Sequence, residues 1–189
     1  MNLVKPLAPA TYYLSYFDLN DKTGYYKSQI KNIFFETSSR TNFESETQKQ
    51  KFFQIWTDFY FTHETKNIFL AIDEEDKVLG YLTGCFDTAG SLEKLVNTSK
   101  SYNLFFDLYP QFPAHLHVNV SEIAQGKGIG SELVEIFIEN CTTLGLAGVH
   151  IITSPTASNI AFYKKRNFKL EEKRKDDKGN EYLFMGRSL

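Results

Sequence analysis

The sequence predicts a mixed α/β fold, one sheet flanked by helices, in the order β, α, α, ββ, βαβ, α, ββ. Three observations carry this expectation. His115 to Val120 (HLHVNV) alternates strictly between polar and apolar residues, the mark of a half-buried strand. A glycine-rich turn, an amphipathic helix and a second apolar run at Val149 to Thr153 follow it, which is the order of a right-handed βαβ unit. Two further pairs of strand-like runs are joined by short polar turns, as in antiparallel hairpins.

Each element has its own reason. Tyr12 to Phe17 (YYLSYF) is aromatic enough for a strand. Gly24 to Thr37 carries Tyr26, Ile30, Ile33 and Phe34 at helical spacing. A second helix spans about Ser45 to Tyr60, where Ser45 and Gln48 have the spacing of a capping box. Its apolar face is read as Phe52, Phe53, Ile55, Trp56, Phe59 and Tyr60. Asn67 to Ile72 and Val78 to about Phe86 flank the acidic turn Asp73 to Lys77 as a hairpin. Ser91 to Tyr102 reads as one short helix, and Leu104 to Pro113 as an aromatic loop closed by two prolines.

Gln125 to Ser131 opens a helix running to about Thr143, with Ile129, Leu133, Ile136, Phe137 and Cys141 on its apolar face. After the strand Val149 to Thr153, a short helix covers about Ala157 to Arg166. Strands near Phe168 to Lys173 and Glu181 to Gly186 close a last hairpin over the turn Asp176 to Asn180.

Composition narrows the classes of function. Lys plus Arg total 21 and Asp plus Glu 23, so the formal charge of −2 argues against a nucleic-acid binder, which needs a basic contact face. Cys85 and Cys141 are too few for a disulfide framework and lack metal-type spacing, which fits a reduced, cytoplasmic setting with both as buried fillers. No apolar run approaches the roughly 20 residues of a crossing helix. The N-terminus carries one Lys and two prolines before its tyrosines, a poor signal peptide, and is kept within the mature fold. With no repeat or linker, residues 1–189 read as one domain.

The glycine-rich turn holds the chemistry. The first N–H groups of a helix have no partner within it, and the helix dipole concentrates positive charge there. Glycine at alternate positions, Gly126, Gly128 and Gly130, lets an anion reach that backbone; the alternative is a tight connection that uses glycine only for its φ angles. The Walker A pattern fails, because Gly126-Lys127 is followed by Gly128 and Ser121 stands where the first glycine belongs. A dinucleotide fingerprint fails as well: the third glycine comes one residue early, and the next strand ends in Thr153-Ser154-Pro155 without an acid.

The pattern present is Q-x-x-G-x-G, as Gln125, Gly128 and Gly130 between strand and helix. It resembles the central motif of the GNAT superfamily of acyl-CoA N-acyltransferases. Asn159 to Phe168 (NIAFYKKRNF) is similar to that family's second signature, in which a Tyr on a short helix precedes a Gly-Phe pair. The resemblance is strong from Pro113 to Phe168 and weak before Ile68, with a family core of about 12–189. Pro113 to Val118 (PAHLHV) and Gly148-Val149-His150 look most like a bacterial subgroup similar to the acetyltransferase-like domain of some O-GlcNAc hydrolases. Three departures stand out. Asn167 replaces the usual Gly, Glu122 replaces a frequent Pro, and the family's usual Asn position holds Thr156, with Asn159 nearby.

What the resemblance implies is a mostly antiparallel sheet with a central splayed parallel pair, and direct attack of an acceptor amine on the thioester of acetyl-CoA, with no metal. The backbone N–H groups of Gln125, Gly126, Lys127, Gly128, Ile129, Gly130 and Ser131 hold the pyrophosphate, with Lys127 adding charge or simply solvated. Val118, Asn119 and Val120 pair with the pantetheine arm, and the Val118 N–H polarises the thioester carbonyl. Asn159 or Thr156 supplies a further cofactor contact. Tyr163 also lies against the cofactor and protonates the departing thiolate. The base is His117 or Glu122. The acceptor is an amine of a small molecule or peptide, and homodimers are common among such domains. Two rivals remain: a non-catalytic CoA- or partner-binding module, and a metal-dependent hydrolase built on His115, His117 and His150.

Overall fold

The computed structural model describes residues 11–38 and 40–189; residues 1–10, assigned above to the mature fold, lie outside that range. The chain runs β1 (Tyr12–Ser15), α1 (Thr23–Thr37), α2 (Glu46–His63), β2 (Ile68–Ile72), β3 (Val78–Cys85), α3 (Leu92–Leu95) and α4 (Ser101–Leu104). It continues through β4 (Ala114–Val120), α5 (Ile129–Thr143), β5 (Gly148–Thr153), α6 (Ile160–Lys164), β6 (Leu170–Lys175) and β7 (Glu181–Ser188). Seven strands form one sheet in the order β1-β2-β3-β4-β5-β7-β6. All neighbours are antiparallel except β4 and β5, the expected parallel pair. Among the described residues no helix is long and apolar enough to cross a membrane.

Each face of the sheet carries its own core. Tyr26, Ile30 and Ile33 of α1 and Phe59 and Tyr60 of α2 pack on one face with Tyr81, Tyr102 and Phe184. Ile129, Leu133, Val134, Phe137 and Cys141 of α5 pack on the other with Leu82, Leu116, Val149 and Tyr163. Gly84 is required where α5 crosses β3, since a Cβ there would come within 2.2 Å of the Phe137 ring. Alternation along β4 therefore sends His115, His117 and Asn119 toward α1 and α2, and Leu116, Val118 and Val120 toward α5.

Several elements differ from the sequence reading. The first strand stops at Ser15 and gives way to a 3₁₀ turn over Tyr16–Lys22. On α2, Ile55 is 41% exposed and Thr57 is buried instead. The Thr57 hydroxyl donates to the Phe53 carbonyl (2.7 Å), so its polar atom is satisfied within the helix. Ser45 does cap α2 through the Gln48 N–H (3.1 Å), but the returning Gln48 side chain accepts from the Glu44 N–H (2.9 Å) rather than from Ser45. The single helix expected over Ser91 to Tyr102 is two short ones, α3 and α4. On α5, Val134 and Ile138 are buried and Ile136 is only partly so.

The helix expected from Ala157 to Arg166 shortens to α6, and the following strand starts at Leu170 instead of Phe168. Asn167 has φ 63°, and the Phe168 N–H turns back to the Tyr163 carbonyl (3.2 Å), so both residues close the helix. Asn167 thus fills the left-handed position where the family resemblance led one to expect glycine.

Candidate functional site

Between β4 and α5 the chain makes a 3₁₀ turn, Glu122–Ala124, and then the glycine loop. Gly126 and Gly128 have φ 75° and 87°, values that only glycine adopts without strain, and a Cβ at either would enter open space. The Gln125 N–H is used by the Glu122 carbonyl (3.3 Å) and the Ser131 N–H by the Gly128 carbonyl (2.9 Å). Among the described residues, the N–H groups of Gly126, Gly128, Ile129 and Gly130 find no acceptor. The Gln125 side chain donates to the Val120 carbonyl (3.1 Å) and holds the loop against the end of β4. The loop borders a cavity of about 600 Å³, also lined by Val118, Asn119, Asn159, Phe162, Tyr163 and Arg166. A row of unpaired donors at a helix N-terminus facing such a cavity suits an anion.

A second cavity of about 150 Å³ opens between β4 and β5, lined by His117, Val118, Asn119, Thr153, Asn159 and Tyr163. It exists because the two strands pair only at Ala114↔Val149 and His115↔His150 and then part. The Ser121 N–H bonds to the Leu79 carbonyl (2.9 Å), so alternate residues Asn119 and His117 direct their backbone groups at β3. The Val118 N–H and carbonyl consequently face the gap left by β5. Tyr163 lines both cavities and is 4% exposed. Its ring meets Phe162 (5.1 Å) and Phe168 (5.3 Å) edge-on, and among the described residues its hydroxyl has no hydrogen-bond partner. Burial raises its pKa above that of an ordinary phenol, so it stays protonated at neutral pH.

Behind β4 lies a buried polar cluster. The Thr88 hydroxyl donates its proton to the Pro113 carbonyl (2.7 Å). His115 Nδ1, 2.8 Å from that hydroxyl, must therefore be the donor to it. This leaves His115 Nε2 to accept from the Tyr60 hydroxyl at 2.8 Å. His117 Nε2 lies 3.0 Å from the Tyr102 hydroxyl. His150 Nδ1 donates to the Phe112 carbonyl (2.7 Å), its ring stacked between Tyr109 and Phe184, and its Nε2 is buried without a partner among the described residues. Burial holds all three imidazoles neutral, pushing His117 down to about 4, His150 to about 3 and His115 well below its ordinary value.

The three histidines do come together, with ring centroids 5.7 Å (His115–His150) and 5.8 Å (His115–His117) apart. Their nitrogens, however, are directed to Thr88, Tyr60, Tyr102 and Phe112 rather than to one point. Among the described residues no group of three His, Cys, Asp or Glu side chains is placed to hold a metal ion. Cys85 and Cys141 are buried free thiols.

The structure brings Val118, Asn119, Val120, Gln125, Gly126, Gly128, Ile129, Gly130, Ser131, Asn159 and Tyr163 onto one cavity, and His117 onto the adjoining gap. Lys127 is exposed and outside the lining. Glu122 is exposed and borders neither cavity; its N–H donates to Glu36 Oε1 (2.7 Å). Thr156 bonds with Ser154 (3.0 Å), whereas Asn159 lines both cavities. The sequence reading missed Thr37, Phe162 and Arg166. Thr37, the last residue of α1, meets Asn119 Oδ1 (3.1 Å), an 82-residue separation that no local pattern announces. Phe162 and Arg166 stand four residues apart, the spacing at which side chains meet on a helix, and that is the signal that could have paired them.

Comparison with known proteins agrees with this geometry. The profile of the Acetyltransferase (GNAT) family matches residues 29–168. Among solved structures, the chain is similar in fold to SsHAT, with a TM-score of 0.71 at 19% identity, covering 95% of this chain and 98% of that one. It is similar to the CoA- and Gag-peptide-bound NatC complex, with a TM-score of 0.59 at 15% identity over 95% and 98% of the two chains. A phosphinothricin acetyltransferase (Pat) from Sinorhizobium meliloti in complex with AcCoA gives a TM-score of 0.52 at 21% identity, over 97% and 89%. A search of curated proteins returned no match. Family profile and strand order together establish that this chain belongs to the acetyltransferase (GNAT) family.

Proposed function

We propose that this chain transfers the acetyl group of acetyl-CoA to a primary amine carried by a small molecule or a peptide, as a single cytoplasmic domain. One observation carries the reading: four unpaired N–H groups, of Gly126, Gly128, Ile129 and Gly130, border a cavity that shares Val118, Asn119, Asn159 and Tyr163 with the gap between β4 and β5. The loop offers a seat for the pyrophosphate. The free backbone edge of β4 offers a strand partner for the pantetheine amides. The solved AcCoA complex of the Sinorhizobium enzyme and the peptide- and CoA-bound NatC complex support the donor and the breadth of acceptors. The closer sequence likeness at PAHLHV to the bacterial subgroup named above belongs to this proposal and specifies no acceptor.

In the proposed reaction the amine nitrogen attacks the thioester carbonyl, forming the N–C bond. The Val118 N–H stabilises the oxyanion, the C–S bond breaks, and Tyr163 gives its proton to the departing thiolate. The proton lost by the ammonium goes to solvent through His117, which borders the gap, or to Glu122 beyond it. A neutral imidazole with its pKa pushed down to about 4 is a weak base, so the acceptor has to arrive largely as free amine. The rate then rises with pH and levels off near the acceptor's own pKa.

The test is turnover of acetyl-CoA against a panel of amines and N-terminal peptides, read as thiol release together with acetylated product. Product formation that scales with free amine supports the reading. Acetyl-CoA binding without turnover of any acceptor would favour the non-catalytic module. His117→Gln and Glu122→Gln separate the two routes, since only loss of the group that carries the proton lowers the rate at every pH while the profile keeps following the acceptor.

A further inference from the structure

Of the described residues lining the larger cavity, Arg166 alone is charged. Its guanidinium lies 3.5 Å from the centroid of the Phe162 ring. Nη1 donates to the Phe162 carbonyl (2.7 Å) and Nη2 to the Ser131 hydroxyl, in the first turn of α5. Nε is buried and, among the described residues, without a partner. No carboxylate pairs with it among the described residues. The nearest candidate, Glu135, is occupied by a two-pronged bond to Arg187 at 2.9 and 3.1 Å. Arg187, so neutralised, also donates to the Arg166 carbonyl (3.1 Å) and holds that backbone in place.

A half-buried cation with one buried, unused donor and no carboxylate beside it is costly unless something anionic completes it. The glycine loop next to it presents unpaired N–H groups and the positive end of α5. These features share one cavity wall. We infer that Arg166 is a ligand for the phosphates of the CoA nucleotide, and that it makes the site select phosphorylated thioesters over phosphate-free ones. This inference rests on the acyltransferase reading above. On binding, the guanidinium exchanges the Ser131 hydroxyl for phosphate oxygens, and the released Ser131 hydroxyl becomes a further donor. The Phe162 ring keeps the guanidinium plane in place during the exchange. The fork geometry suits phosphate in a way a lysine ammonium does not.

The experiment compares two ligands, CoA and acetyl-pantetheine, which lacks every phosphate, by calorimetry on wild type, Arg166→Gln and Arg166→Lys. Wild type should bind CoA far more tightly than acetyl-pantetheine. Arg166→Gln should weaken CoA by roughly 10- to 100-fold, the worth of a charge-assisted contact, and leave acetyl-pantetheine within about twofold. The dependence of CoA affinity on salt should become shallower at the same time. Arg166→Lys should lose affinity for CoA alone, by less. Equal losses for both ligands would make Arg166 a structural strut and overturn the inference, as would an unchanged affinity for CoA. Should Arg166→Gln not fold, Arg166→Lys decides by the same ratio of losses. A wild-type chain that binds neither ligand would instead remove the acyltransferase reading, an outcome distinct from any of these.

Discussion

Tyr163→Phe removes one oxygen from a residue on which both cavities converge. Two magnitudes follow from its surroundings. The hydroxyl has no partner among the described residues, and the ring is held by Phe162 and Phe168 at 5.1 and 5.3 Å, so the folded state loses neither a hydrogen bond nor a ring contact. The melting temperature should therefore stay within about 2 °C of wild type, because 1 kcal/mol corresponds to roughly 2–4 °C in a domain of this size. The chemical step should suffer far more. If the hydroxyl protonates the leaving thiolate, kcat should fall by roughly 10²- to 10⁴-fold. The KM for acetyl-CoA should hardly move, since the lost interaction forms mainly in the transition state. The assay is single-turnover thiol release at saturating acceptor, which isolates chemistry from product release. Stability and rate thus separate in one variant. An unchanged single-turnover rate would leave Tyr163 an aromatic of the core and return the proton to solvent; a change confined to KM would make it a binding residue only.

Two further outcomes can be checked on the same protein. Gly128→Glu puts a side chain at φ 87° and a carboxylate into the cavity, so the chain should lose about 1–2 kcal/mol to backbone strain yet fold, while the rise in melting temperature caused by CoA disappears. A retained thermal shift would take the loop out of the binding site. Acid should unfold the protein through its histidines. The unfolded chain takes up these protons near pH 6.5, the folded chain only near pH 4 for His117 and about 3 for His150, so the stabilisation is complete above pH 6.5 and is lost as pH falls toward 4. With His115 included, the slope should approach about 4 kcal/mol per pH unit, at roughly 1.4 per group. The depressed carboxylates Asp76, Asp107 and Asp176 act only below their usual range, so urea titrations between pH 7 and 4.5 report the imidazoles. A flat stability over that interval would refute it.

What the sequence made legible follows the range of the forces involved. β4, the loop and α5 were readable because one strand alternates, one helix has a periodic face and the glycines mark the junction, all within 30 consecutive residues. Thr57 and Ile55 were misjudged because a threonine hydroxyl that bonds its own helix buries as easily as an apolar side chain. The end of α6 was misplaced for a similar reason. Phe168 has the character of a strand residue, yet its N–H is taken by the Tyr163 carbonyl, which delays the strand by two residues. The partners of the histidines were invisible. Tyr60 reaches His115 across 55 residues, and only the packing of α2 on the sheet brings them together. Arg166 was in plain view beside Tyr163, but nothing local says that its guanidinium should cross to Ser131, 35 residues away.

The histidine cluster and the open gap can be understood as two consequences of the same strand. On one side, β4 is fastened by side chains: His115 to Tyr60 and Thr88, His117 to Tyr102, and Asn119 to Thr37 and Tyr81. Its far end is fastened as well, by the Gln125 amide on Val120 and by Glu36, which accepts from Ser121 and Glu122. Against β5 it keeps only two paired positions, Ala114 and His115. A strand leaving its neighbour normally frays, because unpaired backbone in a protein interior is costly. Here the side-chain anchors from α1, α2, α4 and β3 hold residues 117–120 in place without that neighbour. The backbone edge at Val118 can then stay straight, unpaired and open to a ligand. Loosening the anchors should accordingly harm the site before it harms the sheet: Tyr102→Phe frees His117 while leaving the strand pairing intact. Its effect should appear in the affinity for the pantetheine portion of the ligand, measured with acetyl-pantetheine, beside a loss of stability of about 1–3 kcal/mol from the buried His117 nitrogen left without its partner. An unchanged affinity for acetyl-pantetheine would mean that this anchor serves the core and not the open edge of β4.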